Sequence, residues 1–135
     1  MAHVAARIPE VNLASPHARA SLARMVTRLF DHWDLDTDTQ AALLGFTGTS
    51  RSTLSRYRNG QPVAPNRDLI ERIGHLLAIH KSLRILYPYD RQLVYGWMLR
   101  ANAALQGRTP AQVVRDDGFE GLLTVRRLLD VRRGH

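Results

Sequence analysis

Apolar residues recur at intervals of three and four along most of the chain, the spacing that places them on one face of an α-helix. The first such run follows Ser15 and Pro16, which fit an N-cap and a proline at the first helical position. Its predicted apolar face consists of Leu22, Met25, Val26, Leu29, Phe30 and Trp33. Residues 1–14 lack this period and contain Pro9, so they predict a flexible N-terminal arm.

Two short helices are predicted next. The stretch Asp36–Thr39 supplies capping oxygens and negative charge to a helix through Ala41–Leu44, which Gly45 ends. After a polar turn at residues 46–50, a second helix runs to Arg58, with Asn59 and Gly60 as a left-handed cap. Leu54 and Tyr57, three residues apart, are expected to face the core.

A longer helix is predicted after the prolines at positions 62 and 65. Asn66 can cap it, Gly74 is expected to permit close approach of another helix, and Tyr87-Pro88 ends the pattern. Its inward positions are Leu69, Ile70, Ile73, Leu76, Leu77 and Ile79.

Three further helices complete the chain. One begins at Asp90 and is predicted to continue until Gly107; a short one opens at Thr109-Pro110 and ends at Asp116–Gly118. The apolar stripe of the first is Leu93, Val94, Trp97, Met98 and Ala101, and that of the final helix is Leu122, Val125, Leu128 and Leu129. No segment shows strand periodicity, so the predicted fold class is all-α.

The charge balance indicates a polyanionic or acidic partner. Among 135 residues, 19 are basic and 12 acidic, for a net charge of +7. All basic residues except Lys81 are arginines, the side chain suited to bidentate contacts with phosphate or carboxylate. No run approaches the roughly 20 apolar residues of a membrane span, cysteine is absent, and Met1–Pro9 do not resemble a secretory signal, so a cytoplasmic protein without a membrane partner is expected.

No set of residues in the sequence has the spacing of a catalytic or metal site. Six histidines are present, but His75 and His80 are five residues apart, and no pair has the helical spacing of two metal ligands. The paired carboxylates Asp116 and Asp117 fall where a helix ends in a turn. We therefore predict no enzymatic activity, no metal and no cofactor.

The pair of short helices between Thr37 and Gly60 suits a DNA groove. The second helix carries arginines and hydroxyls and no acid, and these groups bond phosphates and base edges. The string TQAALLG...RSTLSRYRNG resembles the helix-turn-helix of the Xre (phage-repressor-like) family, with a turn about three residues longer. The resemblance implies DNA contacts from Gln40, Arg51, Ser52, Thr53, Ser55, Arg56 and Arg58.

A second resemblance lies near the C-terminus. The run Asn102–Pro110, with Gly121, Val125, Leu128-Leu129 and Gly134, looks like the toxin-binding domain of the Xre/MbcA/ParS antitoxins. The resemblance implies a cognate toxin with a RES domain, similar to ADP-ribosyltransferases and acting on NAD, whose active site the antitoxin covers. The toxin contacts expected here are Arg108, Arg126, Arg127, Arg132, Arg133, Gly134 and His135.

Together these features divide the chain into an arm (1–14), a helical region with the helix-turn-helix (15–87) and a toxin-binding domain (88–135). An alternative interpretation is a stand-alone helix-turn-helix regulator whose C-terminal helices only dimerise it. In either case, the apolar stripes Leu22–Trp33 and Leu93–Ala101 exceed what one small core can easily cover, and together with palindromic operators they predict a homodimer.

Overall fold

The computed structural model describes residues 15–48 and 50–134, and every regular element within these ranges is helical. The α-helices are α1 (Pro16–His32), α2 (Thr37–Leu43), α3 (Arg51–Arg58), α4 (Arg67–Leu86), α5 (Arg91–Gly96) and α6 (Pro110–Arg132). Single 3-10 turns at Trp97–Leu99 and Ala103–Leu105 connect the last two. The all-α prediction is confirmed, while the predicted arm at 1–14 lies outside the described residues.

Side-chain caps begin the helices at the predicted residues. Ser15 Oγ accepts a hydrogen bond from the Ala18 amide at 3.0 Å, with Pro16 at the first helical position. Asp36 and Asn66 cap α2 and α4 in the same way. These oxygens bond amides that have no partner within the helix, which is why polar residues fix the helix starts.

One continuous hydrophobic core joins all six helices. Its fully buried side chains include Phe30 and Trp33 of α1, Ile73 of α4 and Leu122 and Leu129 of α6. The core therefore extends on both sides of the boundary predicted between residues 87 and 88.

The two apolar stripes invoked for dimerisation are largely covered within the chain. Phe30 and Trp33 are fully buried, as is Met98, and Trp97 is nearly so. The argument that these stripes exceed one core is therefore wrong. The exceptions are Ala101, which is exposed, and Met25, which was predicted to face inward and is 51% exposed.

The predicted helix from Asp90 to Gly107 is broken after Gly96, which corrects the sequence interpretation. Asn102 Oδ1 accepts from the Ala104 amide at 3.0 Å, and such local side-chain bonds compete with a continuing helix. Gln106 and Gly107 then adopt positive φ angles of 60° and 83°, which an α-helix excludes. As a result Ala101 is exposed and does not join the stripe.

Gly121, and not Gly74, is the glycine at a close approach. A Cβ at Gly74 would meet nothing within 4 Å, so the predicted helix contact at Gly74 is wrong. Gly118 interrupts α6 with a φ of 63°, as its predicted role at a helix end requires. The bend brings the backbone at Gly121 against the Val113 carbonyl oxygen, which a Cβ would overlap.

Substitution by alanine is expected to change the free energy of unfolding in opposite directions at these two glycines. Gly74→Ala should stabilise the fold by about 1 kcal/mol, because alanine has the higher helix propensity and space is available. Gly121→Ala should destabilise it by about 3 kcal/mol, because backbone atoms cannot move aside as a flexible side chain can. Urea unfolding of both variants measures the two free energies, and a shift in the same direction for both would contradict this account of the bend.

Candidate functional site

Helix α3 presents one polar face to solvent. Arg51, Ser52, Ser55 and Arg56 are exposed, at the spacing that places them on one side of the helix. On the other side Leu54 and Tyr57 are buried, which confirms their predicted inward orientation. The helix contains no acidic residue, so its open face carries hydroxyls and positive charge.

Gln40 and Arg58, predicted to contact DNA, form bonds to other side chains and to the backbone within the protein. Gln40 is buried, and its Nε2 donates to the Leu35 carbonyl at 2.8 Å. Arg58 Nη2 lies 2.7 Å from Asp31 Oδ1 and also donates to Gln40 Oε1 at 3.3 Å. These bonds link α1, α2 and α3 and so fix the orientation of the polar face.

Thr53, the remaining predicted DNA contact, lies at the margin of that face. It is half-buried, and its hydroxyl accepts from Arg56 Nη2 at 3.2 Å. Arg51, in contrast, has no side-chain partner in the described part of the chain.

The long turn between α2 and α3 packs against the body of the molecule. Gly45 has a φ of 77°, and a Cβ there would lie 2.7 Å from Arg72 Nε. The Phe46 ring lies 6.3 Å from that of Tyr57, and Arg72 lies over the ring of Phe119 at 5.5 Å. The turn therefore contacts α3, and Arg72 of α4 lies between the turn and Phe119 at the bend in α6.

Two arginines attach α6 to α4. Arg126 Nη1 donates to His75 Nδ1 at 2.7 Å, and seven residues later Arg133 Nη1 donates to Ser82 Oγ at 3.0 Å. The partners on α4 are also seven residues apart, so the second half of α6 runs in the same direction as α4. Ser82 is almost fully buried, so its bond to Arg133 holds the last turn of α6 in place.

The other predicted toxin contacts differ in their surroundings. Arg108 is partly exposed and lies 3.3 Å from Asp117 Oδ2 and 3.8 Å from Asp116 Oδ2. Arg127 and Arg132 are exposed and have no side-chain partner among residues 15–48 and 50–134. Gly134 is exposed with a φ of 88°, and His135 lies outside the described residues.

Burial lowers the pKa of His75, and the Arg126 guanidinium lowers it further, against the opposing effects of Glu71 and Asp130. The hydrogen bond from Arg126 has the same direction of effect as burial, because a neutral ring can accept at Nδ1 while an imidazolium cannot. Burial also lowers the pKa of His80, with added repulsion from Arg84 and His32.

Lowered histidine pKa values predict acid destabilisation. As pH falls below about 6.5, the unfolded chain binds protons before the folded one, so the free energy of unfolding decreases through the folded-state pKa values. His75→Asn keeps an acceptor for Arg126 without titrating and should reduce the loss of stability between pH 7.5 and pH 5.5. Urea unfolding at both pH values measures this, and an undiminished loss in the variant would exclude His75 as a source.

Comparison with known families identifies both halves of the molecule. The model of the antitoxin Xre-like helix-turn-helix domain matches residues 13–78, and that of the antitoxin Xre/MbcA/ParS C-terminal toxin-binding domain matches residues 82–134. The chain belongs to the Xre/MbcA/ParS antitoxin family. The antitoxin thus combines a helix-turn-helix with a toxin-binding domain, the organisation of a regulator.

An uncharacterised protein of Sinorhizobium fredii, y4oB, is 33% identical to the antitoxin over 107 residues, covering 79% of this chain and 80% of that protein. Within the described ranges, no helix is long and apolar enough to cross a membrane. The same residues contain no cluster of three His, Cys, Asp or Glu side chains that could hold a metal ion.

The residues that support the site were not predicted from the sequence. Asp31, His75 and Ser82 bond to Arg58, Arg126 and Arg133 across 27 or 51 residues. Such pairs arise from tertiary packing, and no local sequence signal indicates them.

Proposed function

We propose that the antitoxin neutralises a RES-domain toxin that acts on NAD, by covering the toxin's active site with the last turns of α6. The observation that carries this proposal is the pair of exposed guanidinium groups of Arg127 and Arg132, which have no partner among the described residues and lie within the segment that matches the toxin-binding domain. A cleft that accepts a dinucleotide has groups that bind phosphates, so its interior does not attract a cationic helix. We infer that Arg127 and Arg132 contact acidic groups at the rim of this cleft, while Gly134 and His135 enter it.

The other arginines of α6 have a positioning role in this proposal. Arg126 and Arg133 are engaged by His75 and Ser82 of α4, so they hold the helix end that presents Arg132. Arg108 is held by Asp116 and Asp117 at the start of α6, where it can contact the toxin through its exposed part.

We further propose that the antitoxin represses its own operon through α3. Support comes from the exposed face of Arg51, Ser52, Ser55 and Arg56, opposite a buried side that fixes the helix. Palindromic operators favour two-fold symmetric proteins, so we propose a homodimer on DNA. A mass of one chain per operator half-site in light scattering of the complex supports it, and one chain per whole operator contradicts it.

Co-purification distinguishes the antitoxin from the alternative, a regulator without a toxin. The tagged chain is expressed together with the proposed RES-domain toxin. We expect the two proteins to elute as one complex at physiological salt. Elution of the chain alone, with the toxin in the flow-through, would contradict the proposed partner and favour the alternative.

A further inference from the structure

A groove between the end of α4 and the start of α5 was not indicated by the sequence. Its volume is about 470 Å³, and its walls include Arg84, Tyr87, Tyr89, Arg91 and Tyr95. The side chain of Tyr89 is fully exposed. A large aromatic ring left in water beside a concave surface is typical of a residue that becomes buried in a complex.

The floor of the groove is rigid. The Tyr95 ring stacks with that of His32 at a centroid distance of 4.6 Å and with that of His80 at 5.7 Å. The Arg91 guanidinium lies 5.4 Å from the Tyr95 ring centroid. Ordered aromatic side chains lose little conformational entropy on binding, which favours a preformed docking site.

The charge of the groove is positive, because two arginines line it. Arg84 and Arg91 form no ion pair within the part of the chain that the structure describes. The carboxylate beside them in the sequence, Asp90, caps α5 by accepting from the Leu93 amide at 3.1 Å. The groove therefore favours an acidic occupant.

Apolar exposure next to the groove favours a protein occupant over nucleic acid. Ile85, which neighbours Arg84 on α4 outside the groove lining, is 49% exposed, and an aliphatic side chain forms no favourable contact with phosphates. A second copy of this chain is disfavoured, because a two-fold contact would bring the same arginines together.

The groove belongs to the segment that matches the toxin-binding domain. Its lining residues, from Arg84 to Tyr95, all fall within residues 82–134. A partner that binds this domain is therefore the occupant that the position of the groove favours.

We propose that this groove is a second docking site for the toxin and takes an apolar side chain flanked by carboxylates. This inference rests on the proposed function. Tyr89 supplies the apolar contact, with Ile85 beside the groove, and Arg84 and Arg91 pair with the flanking acids. The interface then extends beyond α6 to the junction of α4 and α5.

A tryptophan introduced at the groove tests the proposal directly. The native tryptophans Trp33 and Trp97 are buried, so in the Tyr89→Trp variant acrylamide quenches mainly the introduced indole. We expect the purified RES-domain toxin to protect this indole from quenching. In the control variant Met25→Trp, on the exposed side of α1, quenching should be unchanged by the toxin.

Binding measurements complete the test. Tyr89→Ser and Arg84→Glu with Arg91→Glu should each weaken toxin binding at least 30-fold by calorimetry, without changing the thermal melting temperature. Met25→Ser and the double variant Arg24→Glu with Arg28→Glu, matched changes on α1, should bind as the wild type does. Toxin affinity unchanged in the groove variants would overturn the groove and leave the proposed function standing. Loss of operator binding alone would assign the groove to DNA and likewise overturn the inference, whereas failure of the wild type to bind toxin would overturn both proposals.

Discussion

Replacing Arg127 and Arg132 together by glutamate should abolish protection of cells that express the toxin. Both side chains are exposed and unpartnered within the described ranges, so the change leaves the fold intact while reversing charge at the proposed interface. Loss of charge pairs at a desolvated contact costs on the order of 2–5 kcal/mol, which lowers affinity by a factor of about 30 to several thousand. Growth of cells co-expressing toxin and variant measures the effect.

The matched control reverses two arginines elsewhere on the surface. Arg24→Glu with Arg28→Glu on α1 changes the net charge equally and should retain protection. This pair of variants is sharper than removal of Val131–His135, since that truncation also removes the bond from Arg133 to the buried Ser82. If cells with the doubly substituted α6 grow as well as those with the wild type, the end of α6 does not contribute the charged contacts.

Substitution of Arg51 and Arg56 by alanine should lower operator affinity about 100-fold. Each arginine on the exposed face of α3 can contact a phosphate or a guanine, and such contacts are worth about 1–3 kcal/mol. The slope of log affinity against log salt should also become shallower, by about one for each phosphate that the variant no longer binds. Titration of upstream operon DNA at several salt concentrations measures both quantities.

Gln40→Ala provides an internal comparison for the DNA experiment. Because Gln40 bonds Leu35 and Arg58 inside the protein, its removal should lower stability and reduce DNA affinity only through misplacement of α3.

The double variant Arg51→Ala with Arg56→Ala also has an outcome that contradicts the proposal. If it binds the operator with wild-type affinity, another surface contacts DNA.

Local signals made most of the fold predictable. The caps at Ser15, Asp36 and Asn66 bond backbone amides three residues ahead, so their partners are encoded within one helical turn. Apolar residues at the helical period likewise identified the buried faces of α1, α4 and α6, because burial is the main driving force for packing these helices.

The errors occurred where tertiary structure competes with local pattern. The stripe from Leu93 to Ala101 has helical period, but the α-helix ends at Gly96, and the extended backbone at Arg100 and the positive φ at Gln106 exclude a continuous helix to Gly107. Similarly, Gly74 and Gly121 are indistinguishable in sequence, and only the bend at Gly118 places one of them against a carbonyl oxygen.

The functional surface was predictable only in part. Resemblance and charge indicated which arginines are candidates for toxin contact, but only the structure shows which of them are already bonded within the protein. Arg126 and Arg133 bond to α4, whereas Arg127 and Arg132 are exposed and have no side-chain partner in the described ranges. The groove beside Tyr89 carried no sequence motif, because its residues from α4, α5 and the intervening turn come together only in the folded chain.

Consumption of NAD by the purified RES-domain toxin, titrated with the full-length antitoxin, measures neutralisation without contributions from transcription. We expect turnover to fall in proportion to added antitoxin and to cease when each active site is matched by one chain, and the Arg127→Glu, Arg132→Glu variant to inhibit only at much higher concentration. Undiminished NAD consumption in the presence of excess wild-type antitoxin would contradict the proposed neutralisation.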